Sequence, residues 1–231
     1  MSIKGYQTLF GIAREPGGYG AAGTVTKRIP FLSETLKGTR ELSPVPGASG
    51  EGSFKHDKLT GIRYSGDMSD YLRYLEDDRA ILLPMRNLFG SFTEETDDCI
   101  YWPEKVDAES LTLCIDRDGT INEYCGGQFL DLTVRGVPNS PVELEYNAVA
   151  KNNDQTSAIN TNSADWILVD PITAMFEDLT VYFNKFDEGG FGTSDEVCIA
   201  RFDLSFRGDW IIHQTKNTGL YISQPRRKKW E

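Results

Sequence analysis

Histidine is nearly missing from this sequence: His56 and His213 are the only two among 231 residues. Chemistry that needs a histidine base or a histidine-rich metal centre has little to work with. Neither residue lies in a nucleophile motif, and both Gly-x-Ser-x-Gly and His-Glu-x-x-His are absent. The four cysteines, Cys99, Cys114, Cys125 and Cys198, contain no Cys-x-x-Cys pair. They are expected to be reduced core thiols, not zinc ligands. No apolar run approaches the length that crosses a bilayer. Met1 to Tyr6 lack the apolar centre of a signal peptide, so synthesis in the cytoplasm is expected, with no membrane partner. Positive charge is also scarce. Lys and Arg total 24 against 35 Asp and Glu, a net charge of -11. That excludes tight wrapping of nucleic acid, which depends on cations meeting phosphates. DNA sliding past an acidic wall is still allowed.

The remaining motifs favour plain structural readings. Gly17-Gly18-Tyr19-Gly20 is followed by neither Lys-Ser/Thr nor a helix, so it does not read as a phosphate cradle. Asp116-Arg117-Asp118-Gly119 with Asn122 resembles part of a calcium loop but lacks further oxygen ligands and the distal Glu, and reads as an Asp-Gly turn. Glu94-Glu95 and Asp97-Asp98 read as solvated loop charges, and Asp57 with His56 as a surface pair. No catalytic, cofactor-binding or metal residue is expected, and no cofactor; the chain does not read as an enzyme.

What the chain does have is glycine, 22 residues of it, concentrated between Gly11 and Phe54. Gly11 to Gly20 looks too glycine-rich for a helix or a central strand. Arg28-Ile29-Pro30-Phe31-Leu32 reads as an edge strand, because Pro30 lacks a backbone donor. Lys37 to Gly52 carries two large aliphatics, Leu42 and Val45. It is expected to be disordered or ordered only by a neighbouring molecule.

Beyond it, Phe54 to Tyr64 reads as a strand interrupted at Leu59-Thr60-Gly61. Met68, Tyr71, Leu72 and Leu75 fall at i, i+3, i+4 and i+7, which predicts a helix from Met68 to Leu75 packed on the side of a sheet. Ala80 to Leu83 is an apolar patch stopped by Pro84. From Glu109 the period is two. Leu111, Leu113 and Ile115 share a face, Asp118-Gly119 turns the chain, and Leu130, Leu132 and Val134 share a face opposite Phe129, Asp131 and Thr133. Val142 to Ala148 completes an antiparallel meander. Lys151 to Asp165 is expected to be a long polar loop. Met175 to Asn184 and Val197 to Phe206 read as further strands, with a basic tail from Arg226 to Lys229.

Gly11, Glu15, Gly18, Gly20, Pro30, Phe31, Ser33, Glu34 and Leu36, with a glycine-rich link into Gly52-Ser53-Phe54, give the chain a family resemblance. It resembles the major tail tube protein of long-tailed bacteriophages. Tyr124 to Leu130 and the following strands extend the likeness over most of the chain. The resemblance implies one mainly β domain over residues 1–231, an antiparallel sandwich or partly rolled barrel with one packed helix. It further implies a structural virion protein, made in the bacterial cytoplasm, whose six-fold rings stack into a hollow tail for genome delivery. Its partners would be copies of itself, the tape measure protein, DNA in passage, and terminator and baseplate proteins. Residues 37–52 would form an arm to the adjacent ring, with Glu41, Leu42, Pro44, Val45 and Pro46 as contacts. The alternatives are a tail terminator, the inner tube of a contractile injection machine, or a stand-alone β-sandwich binding module. Relatives continue past the segment matching Ile222 to Pro225 into a closing strand. Here that strand is either arranged differently or supplied from elsewhere.

Overall fold

The computed structural model describes residues 8–45, 56–74, 83–94, 99–103, 109–169, 172–180, 196–211 and 225–230. In chain order its strands begin with β1 (Thr8–Arg14), β2 (Lys27–Ile29), β3 (Ser33–Glu34), β4 (Lys37–Val45), β5 (His56–Tyr71) and β6 (Arg73–Tyr74). Helix α1 (Leu83–Phe89) follows, then β7 (Gly90–Glu94), β8 (Cys99–Pro103), β9 (Leu111–Arg117) and β10 (Thr120–Gly136). The rest are β11 (Glu143–Ala150), β12 (Asn152–Asp154), β13 (Ile167–Leu168), β14 (Ile172–Thr173), β15 (Phe202–Ile211) and β16 (Arg226–Trp230).

The protein is mainly β, as expected, but among the described residues its principal sheet does not close into a barrel. Strand β10 is the axis. Its first half pairs with β9 and β12, and its second half with β11 and β15. Two sheets therefore share one strand of 17 residues. The β13–β2 pair is parallel and the other ladders are antiparallel. One apolar core joins the sheets, bringing Phe10, Ile12, Leu113 and Ile115 together with Met68, Leu132, Leu144 and Tyr146. Leu88 and Phe89 of α1 complete it.

The meander forms where the period of two places it. Asp118 and Gly119 both adopt positive φ, 57° and 83°, as a two-residue hairpin turn requires. The Asp116 carboxylate accepts from the Gly119 N–H at 2.8 Å. One face assignment changes. A register shift between Phe129 and Asp131 turns Phe129 onto the core with Leu132, while Leu130 packs on the other side against Val149 and Trp210. The bulge inverts the alternation for the residues before it.

The helix lies elsewhere than predicted. Met68 to Tyr71 continue β5, and Arg73–Tyr74 form β6. Met68 and Leu72 both reach the core, and a spacing of four satisfies a strand as well as a helix. The β11 partner, in register from Glu143↔Tyr71 to Ala150↔Tyr64, decides between them. Leu75 lies outside the described residues. The real helix includes Pro84 in its first turn, where a missing N–H costs nothing, so this proline starts an element instead of stopping one.

Other expectations shift too. Gly11 sits in the middle of β1, a central strand paired on both sides. A Cβ there would collide with Val25 Cγ1, so glycine serves close packing at this point. The polar segment 151–165 is pinned to the sheet: buried Glu123 accepts from Ser157 Oγ at 2.8 Å and from Asn160 Nδ2 at 2.5 Å. Ser163 donates to Asp116. Phe176–Asp178 is a 3-10 turn and not part of a strand, while residues 181–184 of that prediction lie outside the described residues. The predicted strand at Val197 begins only at Phe202, which leaves Cys198 exposed instead of in the core. Cys114 and Cys125 are buried free thiols. Burial and the nearby Glu123 push the Cys125 thiol up to about 12, which keeps it protonated and unreactive. Residues Arg226–Trp230, expected as a tail, are the last strand, paired with β15 of the same chain.

Candidate functional site

Strands β4 and β5 build the feature that the resemblance singles out. Residues Lys37–Val45 pair antiparallel with β5 from Ser65 back to His56. The expectation that this run orders only against a neighbour is therefore corrected. Its backbone is ordered by its own chain, through the ladder. Glu41 and Leu42 lie opposite Gly61 and Leu59. The expected interruption at Leu59-Thr60-Gly61 is a register shift at Thr60 inside a continuous β5. Pro44 and Val45 lie opposite Asp57 and His56, and Pro44 fits an edge strand with no outer partner among the described residues. Pro46 and Gly52-Ser53-Phe54 lie outside the described residues. From Lys37 to Leu42 every residue is exposed, and Leu42 keeps 57% of its surface in water.

The arm is as solvent-bathed as a loop, yet its root is rigidly held. Leu36, immediately before β4, is completely buried. Arg117, at the end of β9, grips Glu34 in a fork: Nε to Oε1 at 2.8 Å and Nη2 to Oε2 at 2.7 Å. The same Nη2 donates to the Leu36 carbonyl at 2.8 Å, and Tyr124 Oη donates there at 3.0 Å. Glu34 Oε2 in turn accepts from the Leu36 N–H at 2.9 Å. The Glu34 hydrogen bond is the main cause that drives the Arg117 guanidinium further up its already high range. On the other strand, Ser33 and Ser69 hydroxyls meet at 2.7 Å, and the Thr35 N–H donates to the Asp67 carbonyl at 2.9 Å. Gly66 completes the mount, since a Cβ there would lie 2.5 Å from the Leu36 nitrogen.

The early glycine turn is filled by its own carboxylate. Glu15 Oε2 accepts from Gly20 N at 2.6 Å and from Ser110 Oγ at 2.5 Å, while Oε1 accepts from Gly126 N at 2.5 Å. The Gly20 N–H, a donor that a phosphate would use here, is already taken. Burial first, and then Glu15, push the nearby Tyr19 phenol above its ordinary range.

Sequence reading found the exposed positions Glu41 and Leu42 but not the Arg117 clamp. Arg117 stands 83 positions from Glu34, and its local context, Asp116-Arg117-Asp118-Gly119, advertises only a turn. Glu34 lay inside the recognised Ser-Glu-Thr-Leu segment, the one signal that pointed toward it.

No protein-family model matches this chain, and no curated protein matches it. Among solved structures, a chain from the tail of an empty GTA particle, obtained by helical refinement with C6 symmetry, aligns with 68% of this chain and 100% of its own length. The identity is 13% and the TM-score 0.41. At that level of similarity it decides nothing about this chain's role.

Proposed function

We propose that this chain is a structural subunit of a phage-type tail, forming rings that stack into a hollow tube, with no catalytic role. The observation that carries this reading is the β4–β5 arm: an exposed strand, residues 37–42 of β4, held by its ladder with β5 on a buried, charge-locked mount. A lone two-stranded hairpin is marginally stable in water. Holding one rigidly outside the core is useful to a protein that inserts it into a neighbour. The sheet is open, with β16 at one margin and β3 and β4 at another. Such margins are aggregation hazards in a monomer and become joints when copies of the chain close a ring. Axial contacts of the head-to-tail type then allow growth without a fixed end. Six subunits per ring, the tape measure protein within the bore and residence in the virion follow from the family resemblance. The net charge of -11 suits a bore that DNA must cross without adhering.

Negative-stain microscopy of the purified protein tests this by distinguishing tubes, single rings and monomers. Deleting Glu41 to Ser49 is expected to leave a folded body that no longer forms long tubes. Tubes of normal length from that variant refute the arm's role.

A further inference from the structure

The two ends of β10 differ in charge, and the arm leaves from one of them. Leu36, the arm's last anchor, is held by Arg117 beside the Asp118-Gly119 turn where β10 begins. The other end of β10 turns through Val137 to Pro141, beside the Tyr71 end of β5, where Leu72 N–H donates to the Val142 carbonyl at 2.7 Å. The chain stretch 172–178 is fastened against that turn. Phe176 N–H donates to the Ser140 carbonyl at 3.0 Å, Val142 N–H to the Ala174 carbonyl at 3.0 Å, and Asn139 N–H to Glu177 Oε1 at 2.6 Å.

The charges at these ends are opposite. Among the described residues, 37–45 and 56–65 hold four cations and two anions, a net +2 within a chain of -11. Residues 137–143 and 172–178 hold Glu143, Glu177 and Asp178 and no Lys or Arg. All three acids are exposed. Arg73 is paired with Asp70 at 3.0 Å, and Arg135 with Glu145 and Asp203 at 2.8 and 3.1 Å. Apolar surface matches as well. Ile172 is 57% exposed and Val137 40% at the acidic end, while Leu42 is 57% exposed on the arm, two positions along the same face from exposed Arg40.

From this complementarity we infer that the arm's receiver is the Val137–Glu143 and Ile172–Asp178 surface of a second copy. Resting on the tube reading above, the inference names the partner surface for that arm. The occupant is a second copy because the basic, aliphatic element and the acidic, aliphatic surface stand at opposite ends of one chain, so each copy offers what the next accepts.

The test is a charge exchange within the full chain. One variant carries Arg40→Glu and Lys58→Glu, a second Glu143→Lys and Glu177→Lys, and a third all four changes. Thermal unfolding checks that each is folded. Tube length is measured by electron microscopy and sedimentation. Each two-site variant is expected to cut mean tube length at least tenfold, and the four-site variant to restore it, because the opposed signs return. Added salt is expected to shorten wild-type tubes. If the acidic-end variant folds poorly, Ile172→Ser gives a second reading and is expected to shorten tubes at unchanged unfolding temperature. The inference is overturned if the acidic-end changes leave tubes at wild-type length, or if folded four-site protein does not recover. In those cases wild-type tubes remain and the tube reading stands. Wild-type protein that stays monomeric overturns both.

Discussion

The β9–β10–β11 meander and the β4–β5 arm use the same backbone ladder and reach order by different routes. In the meander, Leu111 to Asp116 are all buried, and so are Asn122 to Leu130 on the neighbouring strand. Removal of apolar surface from water drives that region together, and the ladder hydrogen bonds mainly avoid the cost of burying unpaired amides. In the arm, Lys37 to Leu42 are all exposed. Its order comes from pairing in register and from a fixed root, where Arg117, Glu34 and Tyr124 hold Leu36. The difference separates stability from availability. The meander keeps the body folded, while the arm contributes little to folding and keeps its surface in water.

The largest expected effect lies in the meander. Phe129 is fully buried, its ring 5.2 Å from that of Tyr146. Phe129→Ala is expected to cost about 3–5 kcal/mol in chemical unfolding, the usual range for an emptied aromatic site. A loss near zero would mean that this core is not the source of the body's stability, and the contrast with the arm would fail. Next comes the mount. Arg117→Met leaves the Glu34 carboxylate, 8% exposed, without its fork. A fully buried pair broken in this way costs about 3–5 kcal/mol. Arg117 is 35% exposed, so about 2 kcal/mol is expected here after allowance for solvent screening. Hydrogen exchange is expected to rise from Thr39 to Leu42 more than in β9. Equal rises in both would show that the arm has no independent root.

What the sequence disclosed follows the same division. The meander was legible because alternation and the Asp118-Gly119 turn are local signals, decided within a few residues. The face of Phe129 was not, because a bulge is set by both strands and leaves the composition unchanged. The helix placed at Met68 failed because Met68 and Leu72 serve either period, and only the distant β11 resolves the choice. The arm's exposure could be read from its scarcity of large aliphatics. Its order could not, since hairpin pairing needs no apolar burial. The clamp was hidden by distance along the chain: Glu34 meets Arg117, and Glu123 reaches Asn160, only after the sheets have formed.

A smaller effect concerns pH and the half of β5 that belongs to the body. Burial pushes the Asp70 carboxyl above its ordinary range, against the opposing pull of Arg73 and the Tyr71 N–H. A raised carboxyl pKa means that the folded state holds this proton more readily than the unfolded chain does. Its favourable contribution is complete below the ordinary aspartate range and is lost as pH rises through the raised value. Asp70→Asn fixes the neutral form. It is therefore expected to gain on wild type at neutral pH, and the gain should shrink toward about pH 4. Paired unfolding curves at the two pH values check this. A gain that grows on acidification would reverse the sign and place Arg73, not burial, in control.

The smallest effect on folding is expected where the effect on assembly is greatest. Leu42 stands opposite Leu59 on the arm with 57% of its surface in water, whereas Leu132 is 2% exposed in the core. The same truncation at each site removes the same atoms from different surroundings. Leu132→Ala is expected to cost about 2–5 kcal/mol, since it leaves a cavity that its neighbours fill only in part. Leu42→Ala leaves no cavity and is expected to stay within about 0.5 kcal/mol of wild type. In the assembled state the order should invert. Leu42 would then lie against another copy, so its loss should shorten tubes while the unfolding curve stays in place. Should Leu42→Ala lower stability as much as Leu132→Ala in the isolated chain, the arm would be packed on its own body and would have no free face to offer a neighbour.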